Sequence, residues 1–343
     1  MWRRHSCLPR PGPPGRLASI LVATLLVGSA AGLPGQDRQS TPSPKRPVLV
    51  TTDCGAAMDD QWALAHLLLS PELEVRGVVT THTGSHRLLA EPAAENSARN
   101  ALEVLDRLPL RSRPPVLAGS SRPLRDKTAP LANAGVDFIL REARGFSTRS
   151  RLTVLVIGAA TDLASAILTD PTLAERIEIV AMGFARWPAG TDTFNVKNDV
   201  SAWQVLMESR APIVIGDSAV TTGLLRMRRE GARRLFYSRG PAGRYLAGLL
   251  TTWLDRNADL AKKVSGDRDS CPIWDQVVVA YLLGMTKSVE YRRPRLRDDL
   301  SFDHGQREDQ VEFKITWITW IDSGRLWGDF TAKLDRALED RTP

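Results

Sequence analysis

The chain has 343 residues, of which 43% are hydrophobic and 25% are charged. This composition is typical of a globular protein that buries a sizeable core without disulfides, and it excludes an intrinsically disordered chain. The formal net charge is +7, but the basic run at residues 226–234 has no interleaved aromatic residues. We therefore interpret that run as a solvated helix face and predict no binding of nucleic acid.

Residues 1–31 have the layout of a secretory signal peptide. Four arginines precede an uncharged apolar run at residues 17–27, and Ser29 and Ala31 occupy the −3 and −1 positions of a cleavage site. The apolar run is short for a membrane span, although a retained N-terminal anchor is the alternative. Loss of the four arginines lowers the formal charge from +7 to +3. We expect an exported protein, periplasmic or secreted, with no membrane contact after signal removal.

Residues 32–46 are rich in Pro, Ser and Thr and predict a flexible leader, after which strands and helices alternate. The predicted strands cover residues 47–52, 75–81, 115–117, 152–157, 177–182, 212–215 and 312–320. The predicted helices cover residues 59–69, 94–108, 134–144, 161–168, 200–208, 243–262, 274–283 and 330–338. No linker divides this part, so the pattern predicts a single α/β domain at residues 47–343, with an open, mostly parallel sheet and helices on both faces.

Three aspartates follow the first predicted strand, where ligands bind in parallel sheets. Asp53, Asp59 and Asp60 lie within eight residues and would repel one another without a positive charge between them. A hard divalent cation such as calcium takes several oxygen ligands from a flexible loop, and Gly55 would allow the loop to turn closely around it. The alternative is capping of the next helix, which accounts for one aspartate more readily than for three.

Later segments accompany this cluster in a fixed order along the chain. They are Gly77-Val-Val-Thr-Thr81, Asn100-Ala-Leu-Glu-Val-Leu105, Pro115-Val-Leu-Ala-Gly119, Val156-Ile-Gly-Ala-Ala-Thr-Asp-Leu-Ala164, Phe194-Asn195-Val-Lys-Asn198-Asp199 and Trp274-Asp275. From about residue 47 to residue 338 the series resembles the inosine-uridine preferring nucleoside hydrolases. The resemblance implies a nucleoside hydrolase-like fold with a Rossmann-like core, and a homo-oligomer.

The same resemblance implies hydrolysis of an N-ribosidic bond in a small ribosyl substrate, through an oxocarbenium-like transition state. A metal-bound water would attack, with Asp53 as its general base. Asp59 and Asn195 would contact the ribose. The implied calcium ligands are the side chains of Asp53, Asp60 and Asp275 and the backbone carbonyl of Thr161.

The chain departs from the family pattern at four places. The paired aspartates lie six and seven residues after the first, rather than four and five, and Thr51 stands where an Asp is common. Thr193 replaces a sugar-binding Glu, and Trp274 replaces the His that usually protonates the leaving group. Trp274 could stack on an aromatic leaving group or belong to the core. His82 and His86 follow the second strand, and His86 is the better candidate for a replacement acid.

Two questions stay open at the level of sequence. Cys54 and Cys271 flank segments expected to meet at the metal, so they could form a disulfide or remain two buried thiols. The leading function is a calcium-dependent N-ribosyl hydrolase. The alternatives are a non-catalytic ribose- or nucleoside-binding protein and another metal-dependent hydrolase on the same scaffold, although no Gly-rich phosphate-binding loop follows any predicted strand.

Overall fold

The first strand shows why both faces of the sheet are covered. In the computed structural model, which describes residues 44–84, 88–191, 194–305 and 313–340, residues 48–52 of this strand are all buried. Val48 and Val50 pack into one buried apolar cluster, whereas Leu49 packs into a second. Because successive side chains of a strand point to opposite faces, the two clusters lie on opposite sides of the sheet.

An eight-stranded sheet forms the centre of the fold. The strands of the described residues are β1 (Arg46–Thr52), β2 (Leu73–Thr80), β3 (Val116–Ala118), β4 (Leu152–Val156), β5 (Ile177–Met182), β6 (Ile213–Gly216), β7 (Arg226–Arg228), β8 (Ser270–Pro272), β9 (Thr286–Arg292), β10 (Arg295–Leu296), β11 (Phe302–Asp303) and β12 (Lys314–Ile321). The sheet order is β3-β2-β1-β4-β5-β6-β12-β9. Every pairing in it is parallel except that of β9 with β12.

Helices cover the two faces of this sheet. They are α1 (Asp59–Leu69), α2 (Ala93–Arg107), α3 (Ala134–Ala143), α4 (Thr161–Thr169), α5 (Leu173–Arg176), α6 (Asn195–Asn198), α7 (Val200–Glu208), α8 (Ser218–Leu224), α9 (Arg229–Phe236), α10 (Gly240–Arg256), α11 (Ala258–Ser265), α12 (Gln276–Leu282) and α13 (Ser323–Glu339). Helix α1 packs against α2, α12 and α13 on one face, and α4 packs against α3 and α7 on the other. The predicted α/β fold, with a mostly parallel sheet between helices, is confirmed.

The order of the strands creates a crevice beside β1. The chain adds β2 and β3 on one side of β1 and then β4, β5 and β6 on the other, so β1 lies between β2 and β4. Loops that leave the carboxyl ends of β1 and β4 therefore diverge in opposite directions. Open α/β sheets bind ligands at such a switch point.

One predicted helix, residues 243–262, is in fact two. Helix α10 ends at Arg256 and α11 begins at Ala258, with Asn257 between them. The Asn257 side chain donates through Nδ2 to the carbonyl of Trp253 at 3.0 Å, and its backbone N–H donates to the same carbonyl. A side chain that bonds the backbone in this way competes with helical hydrogen bonding, which accounts for the break.

Strand β9 was not predicted from the sequence because its seven residues are mostly exposed and form no apolar run. Three sequence-based predictions lie outside the described residues: the signal peptide at residues 1–31, most of the leader, and His86. The leader prediction also included Arg46, which is the first residue of β1. No helix within the described ranges is both long and apolar enough to cross a bilayer.

Candidate active site

The loop between β1 and α1 brings the first aspartates to the carboxyl edge of the sheet. It turns at Gly55, whose φ of 94° lies in the left-handed region. The side chain of Asn100 on α2 occupies the space beside this glycine and donates through Nδ2 to the carbonyl of Cys54 at 3.0 Å. The two additional residues of the loop are thus accommodated by a turn that α2 holds in place.

Three carboxylates form a compact group at this edge. Asp59, Asp60 and Asp275 each offer an oxygen, and these oxygens lie within 4.8 Å of one another. Asp60 also accepts a hydrogen bond from the hydroxyl of Thr52 at the end of β1. Asp53 lines the same cavity and is linked to Asp60 by a side-chain hydrogen bond. The structure therefore brings together all four aspartates that the sequence singled out, although the compact group contains Asp59 where the resemblance implied Asp53.

Burial and mutual repulsion perturb the acidity of all four groups. Burial, with the charge of Asp59, raises the pKa of Asp53 to about 7. Burial raises the pKa of Asp59 to about 6, although nearby backbone N–H groups, among them those of Trp274 and Asp275, favour its charged form. The pKa values of Asp60 and Asp275 rise well above the ordinary range, again by burial first and then by the neighbouring carboxylates.

The four aspartates face a cavity of about 310 Å³. No Lys, Arg or His side chain is among the described residues that line it. Each carboxylate is at most 5% exposed, so the charges are poorly hydrated, and no basic residue in the described lining pairs with them. An all-oxygen donor set of this kind matches a hard divalent cation such as calcium or magnesium. A larger groove of about 580 Å³, between α1, β2 and α13, contains none of the four aspartates.

Asn195 lies on the opposite wall of the cavity, at the start of α6. Its Nδ2 donates to the carbonyl of Ile157, just after β4, and to that of Met182, the last residue of β5, both at 3.2 Å. These bonds use both amide hydrogens and fix the side chain against the strand ends. The amide oxygen is the part of Asn195 that these bonds leave available to a ligand.

Trp274 also lines the cavity, next to Asp275 in the chain. It is half-buried, and its indole Nε1 donates to the hydroxyl of Thr222 at 3.2 Å. An indole N–H does not protonate a leaving group under ordinary conditions. Trp274 therefore presents an aromatic surface to the cavity where the resemblance implied an acid.

Thr161 is placed differently from the other predicted ligands. It is the first residue of α4, is fully buried and is not among the residues that line the cavity. Its hydroxyl donates to Oδ2 of Asp199 at 2.6 Å and contacts Nε2 of His82 at 2.8 Å. The side chain of Thr161 thus bridges Asp199 and His82, and the role of its carbonyl as a cation ligand stays a prediction.

His82 is excluded as the replacement acid by its surroundings. The backbone N–H of Gly84 donates to Nδ1 of His82 at 2.8 Å, so Nε2 carries the single proton and donates to Thr161. Burial lowers the pKa of His82 to about 4, which keeps the ring neutral at pH 7. His82 is 1% exposed and does not line the cavity. His86, the preferred candidate, lies outside the described residues.

The two cysteines do not form the suggested disulfide. Cys54 and Cys271 are both free and both fully buried. Burial raises the pKa of each thiol, and the nearby aspartates raise it further. Both therefore stay protonated and act as small apolar side chains beneath the site.

This geometry agrees with the comparisons with known proteins. A family model of the inosine-uridine preferring nucleoside hydrolases matches residues 48–328. The chain belongs to that family. It is accordingly a hydrolase that acts on N-glycosyl bonds.

The relatives of this nucleoside hydrolase are distant. It is 25% identical over 261 residues to a pyrimidine-specific ribonucleoside hydrolase of Citrobacter koseri, covering 68% of this chain and 78% of the relative. It is 25% identical to the Escherichia coli O1:K1 enzyme of the same name over 264 residues, which cover 69% and 79% of the two chains. Among solved structures, a purine-preferring ribonucleoside hydrolase from Gardnerella vaginalis superposes with a TM-score of 0.69 at 19% identity, covering 85% of this chain and 99% of that one. The structural likeness shows the shared fold.

The structure adds cavity residues of this nucleoside hydrolase that sequence reasoning missed. Trp253 of α10 and Asn257, at the break between α10 and α11, line the cavity in a region where a single continuous helix had been expected. Asn198 lines it from the end of α6. Asn198 lies in one of the segments that carried the resemblance, but nothing in the sequence indicated that its side chain faces the cavity.

The raised pKa values predict a coupling between pH and calcium. Because the folded-state pKa values of Asp53 (about 7) and Asp59 (about 6) exceed the ordinary value of 3.8, their protonated forms favour folding. This contribution is present below about pH 4 and is lost as the pH rises through 6 to 7. Calcium should therefore raise the thermal unfolding midpoint, measured against EDTA, by several degrees at pH 8 and only slightly at pH 5.

Asp60→Asn should remove most of this calcium-dependent increase at pH 8. Asp217→Asn is the matched control, because Asp217 is also a buried aspartate of raised pKa, but it caps α8 and accepts from Trp317 outside the cluster. It should keep the full calcium response. Equal calcium responses at pH 5 and pH 8, or an undiminished response in Asp60→Asn, would contradict the assignment of a cation site to the four aspartates.

Proposed function

We propose that this protein is an exported, calcium-dependent hydrolase of the N-ribosidic bond of a nucleoside or a related ribosyl compound. The observation that supports this most strongly is the group of four buried aspartates, which face a cavity whose described lining residues include no basic side chain. Such a group needs a bound cation, and calcium binds carboxylate and carbonyl oxygens through loops of this type. When bound there, calcium supplies positive charge that lowers the pKa of water and orients sugar hydroxyls.

The side chains divide into two roles in this proposal. Asp60 and Asp275 would hold the cation, with Asp53 and the carbonyl of Thr161 completing the protein ligands. Asp59 and the amide oxygen of Asn195 would accept hydrogen bonds from ribose hydroxyls and so fix the sugar for attack. The relatives add support, since one is a pyrimidine-specific and another a purine-preferring ribonucleoside hydrolase.

Asp53 would act as the general base. It lines the cavity at the end of β1 but lies outside the compact group of the other three aspartates. Its carboxylate is therefore the one available to take a proton from the attacking water. In the protein without a cation, a protonated Asp60 donates a hydrogen bond to Asp53 and favours the charged form of Asp53.

Replacing Asp53 tests the reaction and the base together. Wild-type protein with saturating calcium should release ribose from members of a panel of purine and pyrimidine ribonucleosides. Asp53→Asn keeps the shape of the side chain but removes the base, so kcat should fall by about 10² to 10⁴. Unchanged turnover in the variant would refute the assignment of the base. Measurable ribose binding without turnover of any nucleoside by the wild type would favour the non-catalytic alternative.

Trp274 would contact the leaving group rather than protonate it. Its half-buried ring lines the cavity beside Asp275, and its N–H is already bonded to Thr222. A flat aromatic base in the cavity could stack on this ring, which is worth about 0.5–1.5 kcal/mol.

Trp274→Ala should therefore raise the KM for nucleosides about 2- to 10-fold with a smaller change in kcat, and Trp274→Phe should restore most of the affinity. Trp320→Ala is the control, because Trp320 is 41% exposed on β12 and lies outside the cavity. A core role for Trp274 would appear instead as a lower unfolding midpoint with an unchanged KM.

Export rests on the N-terminal pattern of arginines, apolar run and small residues. When the full chain is expressed in a bacterial host with a general secretion system, mass spectrometry of the recovered protein should give a mature chain that begins at Gly32. A chain that retains Met1 and remains with the membrane fraction would support the N-terminal anchor and contradict cleavage. Assembly into a homo-oligomer stays a prediction from the resemblance.

A further inference from the structure

Asn198 is a buried polar side chain without any hydrogen bond to its amide. It is the last residue of α6, is 4% exposed and lines the cavity. Its Oδ1 is fully buried and has no partner, and no hydrogen bond of its Nδ2 is present among the described residues. Buried polar side chains in folded proteins are almost always bonded to protein or to water, so an amide without a protein partner at a cavity is available to pair with a bound group.

Three other asparagines show which hydrogen bonds a structural role requires. Asn195 uses both amide hydrogens on strand-end carbonyls. Asn100 donates to the carbonyl of Cys54, and Asn133 bonds Ser120, Asp162 and the backbone of α3. Asn198 makes no such bond, so its amide stabilises no element of the fold.

The backbone around Asn198 is held in place. The adjacent Asp199 accepts hydrogen bonds from the N–H groups of Leu124 and Ala202 and from the hydroxyl of Thr161. On the other side, a Cβ added to Gly84 would lie only 2.8 Å from the Cα of Asn198. The backbone is thus positioned before any ligand arrives, and rotation of the side chain is the movement by which the buried amide oxygen reaches a ligand.

Asn198 is not bonded to the acidic cluster. Among the described residues, no hydrogen bond joins its side chain to Asp53, Asp59, Asp60 or Asp275. Its neighbours along the cavity are Asn195 and the partly exposed Phe194. The acidic cluster in the same cavity disfavours an anionic ligand group beside this neutral amide.

We propose that Asn198 is a substrate-binding residue whose amide pairs with a neutral group that both donates and accepts hydrogen bonds. This inference rests on the proposed ribosyl substrate and identifies a further contact to it. Two parts of such a substrate carry the required chemistry: a sugar hydroxyl, and the –CO–NH– edge of a base such as hypoxanthine or uracil. In either case the substrate satisfies an amide that is unbonded in the free protein.

The test combines binding with stability in Asn198→Leu and Asn198→Ala. Because no hydrogen bond is lost in the ligand-free protein, the thermal unfolding midpoint of at least one variant should equal or exceed that of the wild type. The kcat/KM for nucleosides should fall about 5- to 100-fold, since the substrate then buries an unpaired group. The calcium affinity should not change. Asn133→Ala is the control and should lower the unfolding midpoint by about 2–4 °C with unchanged KM.

Two measurements show whether the amide of Asn198 contacts the sugar or the base of the substrate. If Asn198 binds a sugar hydroxyl, inhibition by free ribose should weaken in both variants by the same factor as kcat/KM. If Asn198 binds the base, inhibition by free ribose should stay constant in the variants. The ratio of kcat/KM for inosine and uridine to kcat/KM for adenosine and cytidine should then fall. Either result supports the role of Asn198 in substrate binding and identifies the substrate group that its amide contacts.

Other outcomes contradict the proposed role of Asn198, and each can be distinguished from a failure of the proposed function. Turnover by the wild type with unchanged kcat/KM in both variants would end the role of Asn198 and leave the proposed function intact. A lowered calcium affinity, or lowered stability of both variants with unchanged KM, would make Asn198 a cation ligand or a structural residue. If the wild type binds ribose without turnover, the same comparison is made on Kd, and only the catalytic proposal fails. If it binds no ribosyl compound, both proposals fail.

Discussion

Repulsion among four buried carboxylates is the constraint on which this active site depends. Asp53, Asp59, Asp60 and Asp275 lose hydration on folding, and none of the described residues that line the cavity is basic. Without a cation, part of the cluster must hold protons, which is what the raised pKa values express. The rest of the fold supplies the stability that keeps these groups together, since they oppose folding when all are charged.

The fold assembles this cluster from distant parts of the chain through its parallel sheet. Asp53 follows β1, Asp59 and Asp60 open α1, and Asp275 precedes α12, which packs against α1. Carboxyl ends of parallel strands meet at one edge, so loops remote in sequence share a cavity there. The apolar clusters on both faces hold the strands rigid, and the ligand groups therefore have little freedom to move apart.

The cavity walls separate the chemistry of the sugar from that of the leaving group. Acids and the amide of Asn195 lie at the strand ends, whereas Trp253 and Trp274 provide aromatic surface from the later helices. A ribosyl compound has this same polarity, with hydroxyls at one end and a flat base at the other. Trp274 gives the cavity an aromatic surface where the family resemblance implied an acid.

The sequence alone determined the α/β class, the start of α1 at Asp59 and the grouping of Asp53, Asp59 and Asp60, because strand and helix periodicity and charge repulsion are local properties. Asp275 was implied only by the family resemblance. The sequence could not determine that Asn257 ends a helix or that the side chains of Thr161 and His82 bond each other. Those outcomes depend on partners far away in the chain. Likewise, only the tertiary structure shows that Asn198 lies buried and unbonded at the cavity, because a side chain's hydrogen bonds are decided by what the fold packs around it.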